Sequence, residues 1–271
     1  MIKRVTYVVL TLLLFSNCTN HYIRIFEASS NNTKLKDGYL VFESDSIKVT
    51  YEFWAEKGVL SFSVYNKLDK PIYINWKNSS FIYNSLKLNY WIDEQQTTFS
   101  NYYGSYFYKG PLIKSGYTLS EGVQTGQSNI IKPEKTTFIP PQSFYYRSQF
   151  YILPSEYFLT NSDSFEKTTV IRNDDSSKKT NIYTLNFKEE NSPLKFRNFL
   201  SISLEENSNN FIYIDNSFYL KSINEMDYLH FEAAKLNDTD TNPLKKKNSF
   251  YLKVEETNSL EFNNRMLGNP Y

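Results

Sequence analysis

Few side chains here have the chemistry for covalent or acid–base work. The chain has one cysteine, Cys18, and two histidines, His21 and His230. A serine or cysteine hydrolase needs a base held beside its nucleophile. Any Ser-His-Asp site would have to use His230, because His21 lies in a stretch that reads as a solvated tether. The plainer reading of His230 is an imidazole at the edge of an amphipathic element. No Gly-x-Ser-x-Gly elbow, phosphate loop or Gly-x-Gly-x-x-Gly stands in the sequence. Zinc sites draw on several His or Cys, which this composition does not offer. Asp238-Thr-Asp240-Thr-Asn242 spaces oxygen ligands as calcium loops do, but Pro243 follows where glycine is wanted and Ser249 replaces the bidentate Glu. We expect no metal and no cofactor. Carboxylates Glu43, Asp45, Asp93 and Glu94 could in principle serve glycoside hydrolysis, although nothing fixes their separations. Carboxylates near strand ends more often face solvent.

Cys18 has the clearest context. Lys3 and Arg4 precede an apolar run from Val5 to Phe15, and Leu14-Phe15-Ser16-Asn17 leads into the thiol. The run falls short of the ~20 residues that span a bilayer, so residues 1–17 read as a cleaved secretory signal. The segment resembles bacterial lipoprotein signals, in which an apolar residue and small residues precede a cysteine that receives diacylglyceride and palmitate. Phe15 replaces the usual Leu, and Asn17 stands where Gly, Ala or Ser is usual. These departures resemble the looser signals of Bacteroidetes-type lipoproteins. The plainer alternative is an ordinary signal peptide with a coincidental cysteine. An exported chain with one thiol forms no internal disulfide, and lipid attachment explains that odd thiol.

Composition narrows the partners. The net charge is +1, from 30 basic and 29 acidic residues, which gives no long-range field for nucleic acid. With 23 Tyr and 21 Phe, the chain suits half-buried strands. Such rings also suit flat ligands, although an AT-rich gene favours the same residues. Tyr102, Tyr103, Tyr106, Phe107 and Tyr108 cluster around Gly104 in an expected loop. They are candidate ligand-binding rings, or rings that cover the open end of a sandwich. Trp54, Trp76 and Trp91 lie within or beside alternating strands and read as core.

The elements that would position these groups are mostly strands. Ile47, Val49, Tyr51 and Phe53 alternate with polar residues, and Leu60, Phe62 and Val64 do so after the Glu56-Lys57-Gly58 turn. Further strands are expected at 39–42, 72–76, 81–83, 86–92, 143–153, 182–187, 192–204, 211–221 and 249–254. Ile223–Leu236 carries apolar residues at helical spacing, with a continuing strand through Tyr228–Phe231 as the alternative. The expected fold is mainly β. It is an antiparallel, immunoglobulin-like β-sandwich with long insertions and at most one or two short helices. Residues 18–38 read as a lipid-anchored tether and 39–257 as the sandwich, with insertions at about 95–142 and 161–181. Residues 258–271 read as a C-terminal tail. Two β domains split near 161–181 are the runner-up.

Phe53-Trp-Ala-Glu56 through Val64-Tyr-Asn-Lys-Leu-Asp-Lys-Pro-Ile-Tyr-Ile-Asn-Trp76 resembles uncharacterised Bacteroidetes-type lipoproteins, as does Ser192-Pro-Leu-Lys-Phe-Arg-Asn-Phe199. The resemblance implies an immunoglobulin-like unit and carries no catalytic residues. The expectation is a non-enzymatic, lipid-anchored envelope protein of a Gram-negative bacterium. It would sit on the periplasmic or surface face, and the outer membrane is the expected location. Its partners would be the membrane, through the lipid, and another envelope protein or a glycan. The alternatives are a glycan-binding module using the Tyr102–Tyr108 loop, and a hydrolase using a carboxylate pair or His230. Cys18→Ala is expected to abolish fatty-acid labelling and release the protein from membranes; a mutant still bound to membranes would exclude the anchor.

Overall fold

The computed structural model describes residues 21–91, 102–103, 106–108, 117–119, 122–123, 134–153, 165–206, 208, 210–234, 242–255 and 259. The strands run β1 (His21–Ser29), β2 (Lys34–Lys36), β3 (Tyr39–Glu43), β4 (Ile47–Glu52), β5 (Val59–Asn66), β6 (Ile72–Asn75), β7 (Ser80–Tyr83) and β8 (Leu86–Asn89). Short strands follow at β9 (Tyr102–Tyr103), β10 (Tyr106–Tyr108), β11 (Tyr117–Leu119) and β12 (Gly122–Val123). Then come β13 (Thr136–Ile139), β14 (Phe144–Tyr151), β15 (Glu166–Ile171), β16 (Lys179–Asn186), β17 (Lys195–Ser203) and β18 (Ile212–Asp227). One helical turn, α1 (Tyr228–Glu232), precedes β19 (Ser249–Glu255).

The protein is mainly β, and its strand ladders are antiparallel, consistent with a β-sandwich. One sheet has the order β14-β5-β4-β3-β2. The larger has the order β13-β6-β17-β18-β1-β19, with β7 and β8 extending from β17, and β16 and β15 from β18. Strands from both ends of the chain share this larger sheet and one core, so a split into two domains at 161–181 is overturned.

Alternation explains the smaller sheet. Ile47, Val49 and Tyr51 of β4, with Leu60, Phe62 and Val64 of β5, point inward and are fully buried. Their hairpin needs Gly58: its φ is +65°, and an added Cβ would lie 2.7 Å from Cγ of Phe250. Across the sandwich these side chains meet Phe196, Phe218 and Trp76. Tyr51 and Phe218 have ring centroids 4.8 Å apart, Phe53 and Phe196 5.4 Å, and Phe62 and Trp76 6.5 Å. Such pairs stabilise beyond their buried area.

Four expectations change. Residues 21–36 are not a tether, because β1 has β18 on one side and β19 on the other. It hides from an alternation test because both its faces are covered: Ile23 and Ile25 pack in one cluster, Phe26 and Ala28 in the other. The insertion at 95–142 ends early, since β13 returns to pair with β6. The connection at 161–181 is largely a hairpin, β15–β16, that extends the sheet beyond β18. The helix expected over Ile223–Leu236 is mostly strand: β18 runs to Asp227, whose side chain then accepts from the N–H groups of Leu229 and His230 and starts α1. Of the tail, Ser259 is buried, and the rest lies outside the described residues.

A polar network crosses the apolar interior. Tyr51 Oη donates to Asn216 Oδ1 at 2.7 Å, and Asn198 Nδ2 donates to Tyr51 Oη at 3.1 Å. Tyr90 Oη donates to Asn198 Oδ1 at 2.7 Å. Asn198 and Asn216 are direct partners on β17 and β18. Burial raises both tyrosine hydroxyls far above their ordinary pKa, so both remain neutral donors. Tyr51→Phe would leave both asparagines short of a partner at a cost of about 1–3 kcal/mol. The expected reading is a lower urea midpoint with an unchanged slope; an unchanged midpoint would show the network to be dispensable.

Candidate binding face

Cys18 lies outside the described residues, as do Asp93, Glu94, Asp238 and Asp240. The backbones of Tyr102, Tyr103, Tyr106 and Tyr108 form two small ladders, β9 with β12 and β10 with β11; the side chains of these expected ligand-binding rings lie outside the described residues. Trp76 is fully buried, with its indole N–H donating to Thr137 Oγ1 at 2.7 Å. The guanidinium of Arg147 lies 4.1 Å from its ring centroid. Trp91 packs against the same core, and Trp54 packs against Phe231 and Tyr251 in a second cluster.

Of the candidate acids and bases among the described residues, Glu43 and His230 are engaged in structure. Glu43 is exposed, and the hydrogen bond from Lys67, with the nearby charge of Lys36, lowers its pKa. It is therefore a poor proton donor near neutral pH. Asp45 is exposed in the β3–β4 turn. Asn242 is buried, donating to the Phe231 carbonyl at 2.6 Å and accepting from the Leu244 N–H at 2.8 Å. Its side chain caps a loop. Among the described residues, no group of three or more His, Cys, Asp or Glu is placed to hold a metal.

His230 joins α1 to the β15–β16 hairpin. The Asn173 N–H donates to its Nδ1 at 3.1 Å, and Asn173 Nδ2 donates to its carbonyl at 2.9 Å. Arg172 beside it grips Asp174 through Nε at 2.9 Å and Nη2 at 2.7 Å, and reaches Asp227 at 3.5 Å. Burial lowers the His230 pKa, against the opposing pull of Asp227 and Asp174. With Nδ1 accepting a backbone N–H, the imidazole acts as a neutral structural acceptor.

The surface most suited to binding was not singled out by sequence reasoning. Inner residues Ile72, Ile74, Leu200, Ile202 and Ile214 belong to the core, so their neighbours along each strand point out. On that outer face, Phe138 of β13 pairs with Tyr73 of β6, which pairs with Ser203 of β17. Ser201, two residues before, pairs with Tyr213 of β18. Phe199 stacks on Tyr213 at 5.4 Å, and Phe211 lies 6.3 Å from it. Tyr73 meets Phe138 edge-on at 5.6 Å. The result is a trough with a serine floor and aromatic walls. Tyr213 is 60% and Phe138 54% exposed, yet Ser201 is wholly covered and its Oγ has no partner. The signal in the sequence was present but partial: Tyr73 alternates against Ile72 and Ile74, which gives its face but not its neighbours.

Because the folded-state pKa of His230 lies below its unfolded value, the folded form resists the proton that the unfolded form takes up. Stability from this site is therefore present above about pH 6.5 and lost as pH falls through the lower folded pKa. His230→Gln is expected to be less stable than wild type at neutral pH and to lose less stability on acidification, measured by paired denaturant titrations; equal acid sensitivity would exclude the assignment. No family model, no curated protein and no solved structure matches this chain.

Proposed function

We propose that this chain is an exported, lipid-anchored component of a Gram-negative cell envelope that binds another envelope component without catalysing a reaction. Cys18 carries the lipid, on the periplasmic or surface face of the outer membrane. The observation that supports a binding role is the aromatic trough formed by Phe138, Tyr73, Phe199 and Tyr213. Exposed aromatic side chains grouped on a rigid sheet are the usual anchors of interfaces. Among the described residues, no helix is long and apolar enough to cross a membrane, and in this reading attachment comes from the lipid.

The immunoglobulin-like reading has support in the order of crossings. The chain lays β4 and β5 in one sheet, β6 and β13 in the other, returns for β14, then adds β17 and β18. That alternation follows the immunoglobulin pattern with one strand of the first sheet missing.

A glycan is the second reading of the partner, because exposed flat rings such as Tyr213 and Phe138 suit sugar faces. It replaces the Tyr102–Tyr108 loop with the trough as the leading glycan surface. Tyr213→Ala with Phe138→Ala should weaken capture of a specific partner from cross-linked, detergent-solubilised envelopes while leaving the thermal unfolding curve in place. Capture unchanged by both substitutions would exclude the trough. A glycan array bound by wild type and not by the double variant would select the sugar.

A further inference from the structure

Anchoring and fold together fix which end of the molecule meets the lipid. If Cys18 is acylated, only two residues, Thr19 and Asn20, separate it from His21, the first residue of β1. That stretch spans at most about 11 Å when fully extended. From Tyr22 to Glu27, β1 is held between β18 and β19 by unbroken ladders, so it cannot peel away to lengthen the leash without breaking the sheet. We infer that the end of the sandwich around His21 lies on the bilayer surface, with Ile171 and Leu229 as its apolar contacts. This inference rests on the lipid-anchor reading above.

Register places both residues at that end. Arg24 pairs with Glu225, Glu225 with Tyr183, and Tyr183 with Lys167. β15 runs antiparallel to β1, so Ile171, four residues after Lys167, lies level with the residue before His21. Three strand spacings, about 15 Å, separate it laterally from β1. Tyr22 pairs with Asp227, and α1 begins at the next residue. Leu229 therefore stands beside the start of β1. Ile171 is 60% and Leu229 57% exposed.

Single exposed apolar residues are ordinary on protein surfaces. These two differ in their support. The hairpin carrying Ile171 and the turn carrying Leu229 are tied by Asn173 to His230 and by Arg172 to Asp227. A Leu and an Ile on a braced end, within reach of an acyl anchor, form a second membrane signal of the kind that firms lipid attachment. Lys178 and Lys179 are exposed on the same hairpin, beside Asp175, and suit the headgroup layer. With this end down, Tyr213 lies at the opposite end of β18, roughly 45 Å from Asp227 at ~3.3 Å per residue. The trough then lies at the end of the sheet remote from the lipid.

Cys18 is the only cysteine, so acylation leaves an introduced thiol as the single labelling site. Acylated full-length Leu229→Cys, Ile171→Cys and Tyr213→Cys would carry an environment-sensitive fluorophore. They would be reconstituted into vesicles of phosphatidylethanolamine and phosphatidylglycerol containing a lipid-borne quencher. Quenching several-fold stronger at 229 and 171 than at 213 is expected. Vesicle-bound protein with equal or weaker quenching at 229 and 171 would overturn the orientation while leaving the anchor intact. Wild-type protein that takes up no fatty acid and stays out of the vesicle fraction would overturn the anchor reading, and the orientation with it.

Discussion

The network of Tyr51, Asn198, Asn216 and Tyr90 is the constraint on which the sandwich depends. Its members come from β4, β17, β18 and the segment after β8, so it joins the two sheets at one point. Packed apolar faces tolerate small slides, because hydrophobic contact is non-directional. Buried hydroxyl and amide groups do not, because a lost partner leaves a desolvated dipole. The asparagines sit opposite each other on β17 and β18, so a one-residue slip of either strand would turn its asparagine toward solvent and part the pair. The network thus fixes the register of the central pair. That register in turn brings Ser201 opposite Tyr213 and sets the outer trough.

The same logic holds farther along the same face of the larger sheet, where Phe26 and Ile223 lie beside the next polar pair. Glu225 is completely buried, and its carboxylate accepts from Arg24 Nε at 2.9 Å. Arg24 and Glu225 are cross-strand partners on β1 and β18. A buried pair adds little net stability over apolar residues, but losing one partner is costly. It therefore selects the alignment of β1 more than it strengthens the fold. The small cluster of Ile23, Ile25, Met226 and Phe231 then closes over β1 with Trp54 and Tyr251.

Much of the architecture was legible where one face of a strand is buried. The β4–β5 hairpin follows from strict alternation and from Gly58, whose contact with Phe250 explains the glycine. Legibility fails where both faces are covered. His21–Ser29 shows no alternation because each side of β1 meets a core, and residues 223–227 imitate helical spacing for the same reason. The trough was invisible for another reason. Phe138, Tyr73 and Tyr213 are far apart in sequence, and only long-range ladders bring them together. His230 was readable as structural, but its partner Asn173 lies in a stretch that looks like a plain polar connection.

The length of β18 has a mechanical consequence. A load applied at His21 and resisted at Tyr213 acts nearly parallel to the strands. Ladder hydrogen bonds run across the strands, so β1 would be loaded in shear, with its bonds to β18 and β19 sharing the force at once. A strand pulled sideways would instead unzip one bond at a time. The geometry that hid β1 from sequence inspection, with a neighbour on each side, is also the one that resists being drawn out of the domain lengthwise.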